Sequence, residues 1–311
     1  MARYTVTGGC GFIGSHLVDS LLADGHEVVV LDDLSTGKRE NLDRRAKLIV
    51  GDVTRPALVG EAMEGAEGCF HLAAIASVAR SNEDWLGTHR VNLTGSITIF
   101  DAARPRGAAA AIPVVYASSA AVYGDTERMP IDEATPTRPL TAYGADKLGS
   151  ELHGKVATHV HGVPTTGLRF FNVYGPRQDP ASPYSGVISI FADRLAARKP
   201  VTVNGDGLQS RDFVYVADVV AHLRAAMKTS HTEARVFNVC TGRATTIGDL
   251  ARLIAMKLGI EADIAHGPAR AGDIRHSIGT PERAIAGLGV RAAVAIEDGL
   301  GRLLDAIGRA R

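Results

Sequence analysis

Tyr143 and Lys147 stand four positions apart in the stretch TAYGADK. On a helix, residues at i and i+4 share a face, so the phenol and the ammonium can enter one cleft. A free phenol titrates near about 10, and a neighbouring ammonium favours its ionised form, moving it toward the range of a base that works at neutral pH. The same spacing also describes two exposed helix residues. Just upstream, PVVYASS is a strand-like run ending in hydroxyl residues, and Ser119 there is placed to hydrogen-bond the reacting group.

A second motif lies at the N-terminus. TGGCGFIG at 7–14 puts Gly8, Gly11 and Gly14 at GxxGxxG spacing between a predicted strand and a predicted helix. Glycines there allow a tight turn and a close approach of a pyrophosphate to the helix N-terminus. Asp32 ends the second predicted strand, where a carboxylate accepts hydrogen bonds from ribose hydroxyls and repels a 2′-phosphate. Asp33 reinforces that preference for NAD over NADP, while nearby Lys38 and Arg39 oppose it; either aspartate can instead cap the loop. Asp52 and Val53 follow the third strand, at adenine height or in a plain turn, and Phe12, Ile13, Ala73 and Ala74 complete the candidate NAD contacts.

These motifs need elements to hold them. RYTVTG, EVVVLDD, KLIVGD, GCFHLAA, PVVYASS and TTGLRFFNV read as strands, with helices over 13–24, Trp85–Arg104 and Tyr143–His161. Strand and helix alternating at this spacing predict an α/β fold, a doubly wound parallel sheet of Rossmann type. After Asn172 the regularity gives way to YGPRQDPASPYSG and shorter mixed elements. We therefore expect an NAD-binding domain over 1–172 and a smaller mixed α/β substrate-binding domain over 173–311, with 209–235 packing back onto the first.

Composition removes several function classes. Lys and Arg number 34 against 34 Asp and Glu, so no excess charge is available to hold nucleic acid or an anionic membrane. Three scattered cysteines without CxxC spacing argue against a disulfide framework or zinc site, and no His/Asp/Glu cluster has metal-ligand spacing, so no metal is expected. The N-terminus lacks a signal-peptide pattern and no apolar run is long enough to span a membrane, which together predict a cytoplasmic protein.

Taken in order, the glycine turn, the acidic strand end, the strand-end serine and YxxxK resemble the extended short-chain dehydrogenase/reductase family. The segments LDDLSTGKREN, HLAA, YASSAAVYG, RFFNVYGPRQDP, GDGLQSRDFVYVADV and RAGDIRHS are similar to its UDP-glucose 4-epimerase branch over nearly the whole chain. The resemblance implies NAD that stays bound, Tyr143 as the base at the sugar C4 hydroxyl, Lys147 on the nicotinamide ribose and Ser119 assisting the proton. It also puts Asn92 near the cofactor, although a polar packing residue in a helix would look the same. His71 lies beside the cofactor in the family pattern, and a buried, satisfied histidine without a chemical role is the reading we expect there.

Within the family, Ala120 and Ala121 occupy positions where dehydratases carry an Asp-Glu pair. Alanine exchanges no proton, which leaves epimerisation. Asn172, Arg211, Arg270 and Asp273 match positions that hold a nucleoside diphosphate, and arginine suits a diphosphate by its bidentate fork. Ser277 matches a position bordering the sugar, where a small residue leaves room for an N-acetyl group. The implied substrates are UDP-Glc/UDP-Gal and UDP-GlcNAc/UDP-GalNAc; a uronic acid would need a dedicated cation, for which Arg177 is the candidate. A net oxidoreductase and a non-catalytic NAD-binding regulator stay open. The family also implies a homodimer formed through the helices at 85–104 and 143–161; Leu93, Ile97 and Phe100 can provide its apolar face, and ordinary core packing describes them equally.

Overall fold

The computed structural model describes residues 1–107, 109–180, 186–230, 232–269 and 274–310. The N-terminal half runs β1 (Arg3–Thr7), α1 (Phe12–Ala23), β2 (Glu27–Asp32), β3 (Lys47–Val50), α2 (Pro56–Met63), β4 (Gly68–His71), α3 (Val78–Glu83), α4 (Trp85–His89), α5 (Gly95–Ala102), β5 (Val114–Ser119), α6 (Ala142–His161) and β6 (Thr165–Phe170). There follow β7 (Asn172–Tyr174), α7 (Val187–Ala196), β8 (Val201–Asn204), β9 (Ser210–Arg211), β10 (Phe213–Tyr215), α8 (Val216–Lys228) and β11 (Arg235–Val239). The chain closes with β12 (Thr245–Thr246), α9 (Ile247–Leu258), β13 (Ile264–Gly267), β14 (His276–Ser277), α10 (Glu282–Leu288) and α11 (Ile296–Ala310).

Seven parallel strands form the central sheet in the order β11-β6-β5-β4-β1-β2-β3. Val28 to Leu31 are all buried, as expected for a strand covered on both faces. On one face Leu17, Val18 and Leu21 of α1 pack with Val219, Leu223 and Ala226 of α8. On the other, Val59 and Met63 of α2 and Ile99 and Phe100 of α5 pack over Val29 and Leu31. The strand order reverses between β1 and β4, and a crevice opens there at the carboxyl ends. A separate apolar cluster joins α7, β8, α9 and α11 through Phe191, Val203, Leu250 and Leu303.

Two elements depart from expectation in ways that shape the crevice. The run TTGLRFFNV is two strands, because the Phe171 N–H bonds Val239 O at 3.2 Å and the Asn172 N–H bonds Asp212 O at 3.0 Å. β7 thereby leaves the sheet and pairs in parallel with β10. The helix expected over Trp85–Arg104 passes through a π-helical stretch, Arg90–Thr94, and α5 ends at Ala102. Such widened turns reorient side chains, and here Asn92 turns to Ile75, accepting its N–H at 2.8 Å and donating to its carbonyl at 3.1 Å. No helix among the described residues is long and apolar enough to cross a membrane.

Candidate active site

The crevice is a cleft of about 510 Å³ running from Asp32 to Tyr143. At one end the glycine turn forms its floor. Gly8 has φ +71°, and a Cβ there would sit 2.7 Å from Ala73 N; a Cβ at Gly14 would sit 2.1 Å from Gly8 O. Only glycine lets strand, turn and helix approach this closely. Helix α1 begins at Gly11 with no side-chain cap and no acidic residue in its first turn, which leaves its N-terminal N–H groups for an anion.

Asp32 is buried, and its two carboxylate oxygens accept the N–H groups of Cys10 and Leu34, each at 2.9 Å. Burial pushes its pKa up, while these two bonds and then the Asp33 charge act as smaller, opposing and reinforcing influences. Each oxygen keeps a further lone pair, and Asp32 lines the cleft. Asp33 lines the cleft while holding Ser35 by its N–H and hydroxyl. Asp52 also lines it while capping Thr54 at 2.8 Å, so both the turn and the cleft readings describe it. Lys38 is paired with Asp179 at 3.4 Å. Phe12, Ile13, Val53, Ala73 and Ala74 line the same cleft. The uncapped helix start, the cradle that a Cβ would fill and the carboxylate at the strand end fit a dinucleotide.

At the other end Tyr143, Lys147 and Ser119 meet. Thr141 caps α6 by accepting the Gly144 N–H at 3.1 Å, and the Tyr143 N–H donates to Ser81 Oγ at 3.3 Å, which fixes where the helix starts. Lys147 Nζ donates to Ala117 O at 2.9 Å and lies 5.8 Å from the Tyr143 ring centroid. Burial lowers the Lys147 pKa to about 8. Burial also pushes the Tyr143 phenol above its ordinary value, and a hydrogen bond with Ser119 pulls it part of the way back. Burial therefore dominates the phenol, and the Lys147 ammonium is aimed at a backbone carbonyl.

Residues 4–240 match the model of the NAD dependent epimerase/dehydratase family. A UDP-glucose 4-epimerase of Mycolicibacterium smegmatis is 38% identical over 97% of both chains. The chain belongs to the NAD dependent epimerase/dehydratase family. The crystal structure of the Thermus thermophilus UDP-glucose 4-epimerase complex with NAD is 36% identical, with a TM-score of 0.91 over 99% of this chain and 100% of that one. A UDP-N-acetylglucosamine 4-epimerase of Methanobrevibacter ruminantium, in complex with UDP-N-acetylmuramic acid, is 32% identical, with a TM-score of 0.94 over 100% and 99%. The protein is an NAD-dependent enzyme of this family.

The remaining expectations divide. Asn172 lines the cleft beside Phe171 and Val173. Arg211 and Ser277 do not line it; they are cross-strand partners on β9 and β14, and the Ser277 carbonyl accepts the Asp212 N–H at 2.9 Å. Arg270 and Asp273 lie outside the described residues. Asn92 is buried and bonds Ile75 through both ends of its amide, as the packing alternative describes. His71 is a satisfied core residue between Thr7 Oγ1 (2.8 Å) and Ser96 Oγ (3.1 Å), held down to about 3 by burial and then by Lys147. Arg177 is paired with Asp19 at 2.8 Å. Sequence reasoning missed Arg80 and Gln178, which line the cleft; the signal for Arg80 was a cation soon after the strand end HLAA. Among the described residues no cluster of three or more His, Cys, Asp or Glu could hold a metal.

Proposed function

We propose that the protein interconverts C4 epimers of a UDP-hexose by oxidation to a transient 4-keto sugar and reduction from the other face. The observation that carries this is the meeting of Ser119, Tyr143 and Lys147 at one end of a dinucleotide cleft, with Ala120 and Ala121 where dehydration would need an acid and a base. When bound, NAD supplies the hydride acceptor and donor, and its nicotinamide charge favours the ionised phenol. Tyr143 takes the proton from the C4 hydroxyl and returns it after the keto sugar has turned over; Ser119 holds the hydroxyl in line with the phenol. Lys147, anchored on Ala117 O, orients the nicotinamide ribose. Asp32 holds the adenosine ribose.

On the substrate side Asn172, Arg211, Arg270 and Asp273 are proposed to hold the nucleoside diphosphate and Ser277 to border the sugar. A serine leaves volume for an N-acetyl group, so we propose turnover of both the UDP-Glc/UDP-Gal and UDP-GlcNAc/UDP-GalNAc pairs. One observation favours a second reading: Arg80 lines the cleft and offers the cation that a uronic acid carboxylate requires. Proton NMR of the anomeric signals with UDP-Glc, UDP-GlcNAc and UDP-glucuronate in separate tubes tests both readings. Conversion of the first two supports the main reading; conversion of the glucuronate alone, lost in Arg80→Ala, replaces it with the second.

We also propose a homodimer. Leu152, Val156 and Val160 form an exposed stripe along α6, and Trp85 and Leu86 on the adjoining α4 are exposed as well. Ile97 adds to this face, whereas Phe100 is buried edge-on to Tyr116, and Leu93 packs on Gly149 of its own chain.

A further inference from the structure

Behind the reacting groups lies a chain of buried polar side chains that the reaction does not touch. Arg169 and Glu151, 6% and 3% exposed, form a two-pronged ion pair, Nε to Oε1 at 2.8 Å and Nη2 to Oε2 at 2.6 Å. The Ser118 hydroxyl donates to the same Oε1 at 2.5 Å. The third prong, Arg169 Nη1, donates to the Tyr123 hydroxyl at 2.8 Å, and that hydroxyl donates to Asn238 Oδ1 at 2.6 Å. Asn238 Nδ2 then donates to Ile131 O at 3.0 Å. Ile131 in turn exchanges backbone bonds with Ile278 and Thr280, next to Ser277.

A buried ion pair seldom stabilises a fold more than apolar residues of the same volume would. Its value here is positional. Ser118 and Arg169 are cross-strand partners on β5 and β6, so Glu151 of α6 is held by both strands at once. Ser118 precedes Ser119, and Glu151 lies one helical turn beyond Lys147 and two beyond Tyr143. Lys147 reaches Ala117 O, and Tyr143 reaches Ser119, only while α6 keeps this height and rotation over β5. We propose that Glu151 and Arg169 are positioning residues for the proton-transfer centre, setting α6 against β5 so that the phenol meets Ser119. This rests on the reading of Ser119, Tyr143 and Lys147 given above.

Two variants of the NAD-loaded protein test it. Glu151→Gln leaves Arg169 uncompensated, whereas the double variant E151L/R169M removes the pair and keeps the charge balance. Because misplacement by about 1 Å costs about 100-fold in rate, both should lower kcat at least about 10-fold while KM stays within about 3-fold. The Tyr143 titration, read as tyrosinate absorbance after subtracting the matching Tyr143→Phe protein, should move in the double variant, which adds no uncompensated charge. In the double variant the weakened bond from Ser119, which now holds the phenol down, moves it up. A double variant with wild-type kcat and an unmoved titration makes the pair merely structural and overturns the proposal. If either variant fails to fold, Ser118→Ala removes one bond and leaves the pair; a kcat equal to wild type then overturns it. The titrations need no turnover, so they test the pair even if the wild type epimerises no sugar nucleotide.

Discussion

Replacing Lys147 by methionine should stabilise the nucleotide-free protein while abolishing its activity. The side chain is 3% exposed, and burial lowers its pKa from 10.5 to about 8. At about 1.36 kcal/mol per pH unit, holding the charge costs the fold about 3 kcal/mol below pH 8. Methionine also forfeits the donor to Ala117 O, and a buried carbonyl losing its partner costs about 1–3 kcal/mol. Methionine is close in volume, so Lys147→Met should gain about 1 kcal/mol, or about 2 °C in Tm, at pH 7. The sign of the pH dependence follows from the lowered folded value. Between pH 8 and 10.5 the unfolded chain keeps its proton and the folded one does not, so wild-type stability rises with pH and the advantage of methionine fades. Urea denaturation of both proteins at pH 7 and pH 10 reads this directly. A variant less stable than wild type at pH 7, or an advantage of the same size at both pH values, would refute the reasoning.

Asp32→Asn keeps an acceptor for one backbone N–H but removes the charge that repels a 2′-phosphate; NAD affinity should fall about 10-fold and the preference over NADP should narrow, as titrated by protein fluorescence. Gly14→Ala puts a Cβ 2.1 Å from Gly8 O, so the glycine turn must open, costing about 2–3 kcal/mol in urea melts and most of the NAD affinity. Ser277→Tyr should cut turnover of UDP-GlcNAc at least about 10-fold and spare UDP-Glc, since a clash with one acetyl group is a specificity change and not a general loss. Val156→Asp should shift light scattering from dimer to monomer mass, because it puts a charge in the exposed stripe of α6.

The parts legible in the sequence are those where local pattern and tertiary outcome agree. The glycine turn, the strand ends carrying Asp32 and Ser119, and the helix presenting Tyr143 and Lys147 are each set within about a dozen residues. What the sequence hid depends on distant partners. The break at Phe171 is invisible in an apolar run, since Val239 and Asp212 draw the backbone out of the sheet. The seventh strand, β11, joins β6 from beyond residue 234. The raised phenol of Tyr143 reflects burial, which spacing to Lys147 does not report. Leu93 and Phe100 share a helical pattern with Ile97 and yet face Gly149 and Tyr116, because apolar periodicity does not tell core from interface.

Incubating UDP-glucose deuterated at C4 with the NAD-loaded protein in ordinary water, and following both epimers by NMR, tests the central claim most directly. The account predicts that the C4 epimer appears with deuterium still at C4, because the hydride goes to the bound NAD and returns from it without exchanging with water, and that Tyr143→Phe forms none. Epimer carrying hydrogen at C4, or a keto sugar released without epimer, would contradict it.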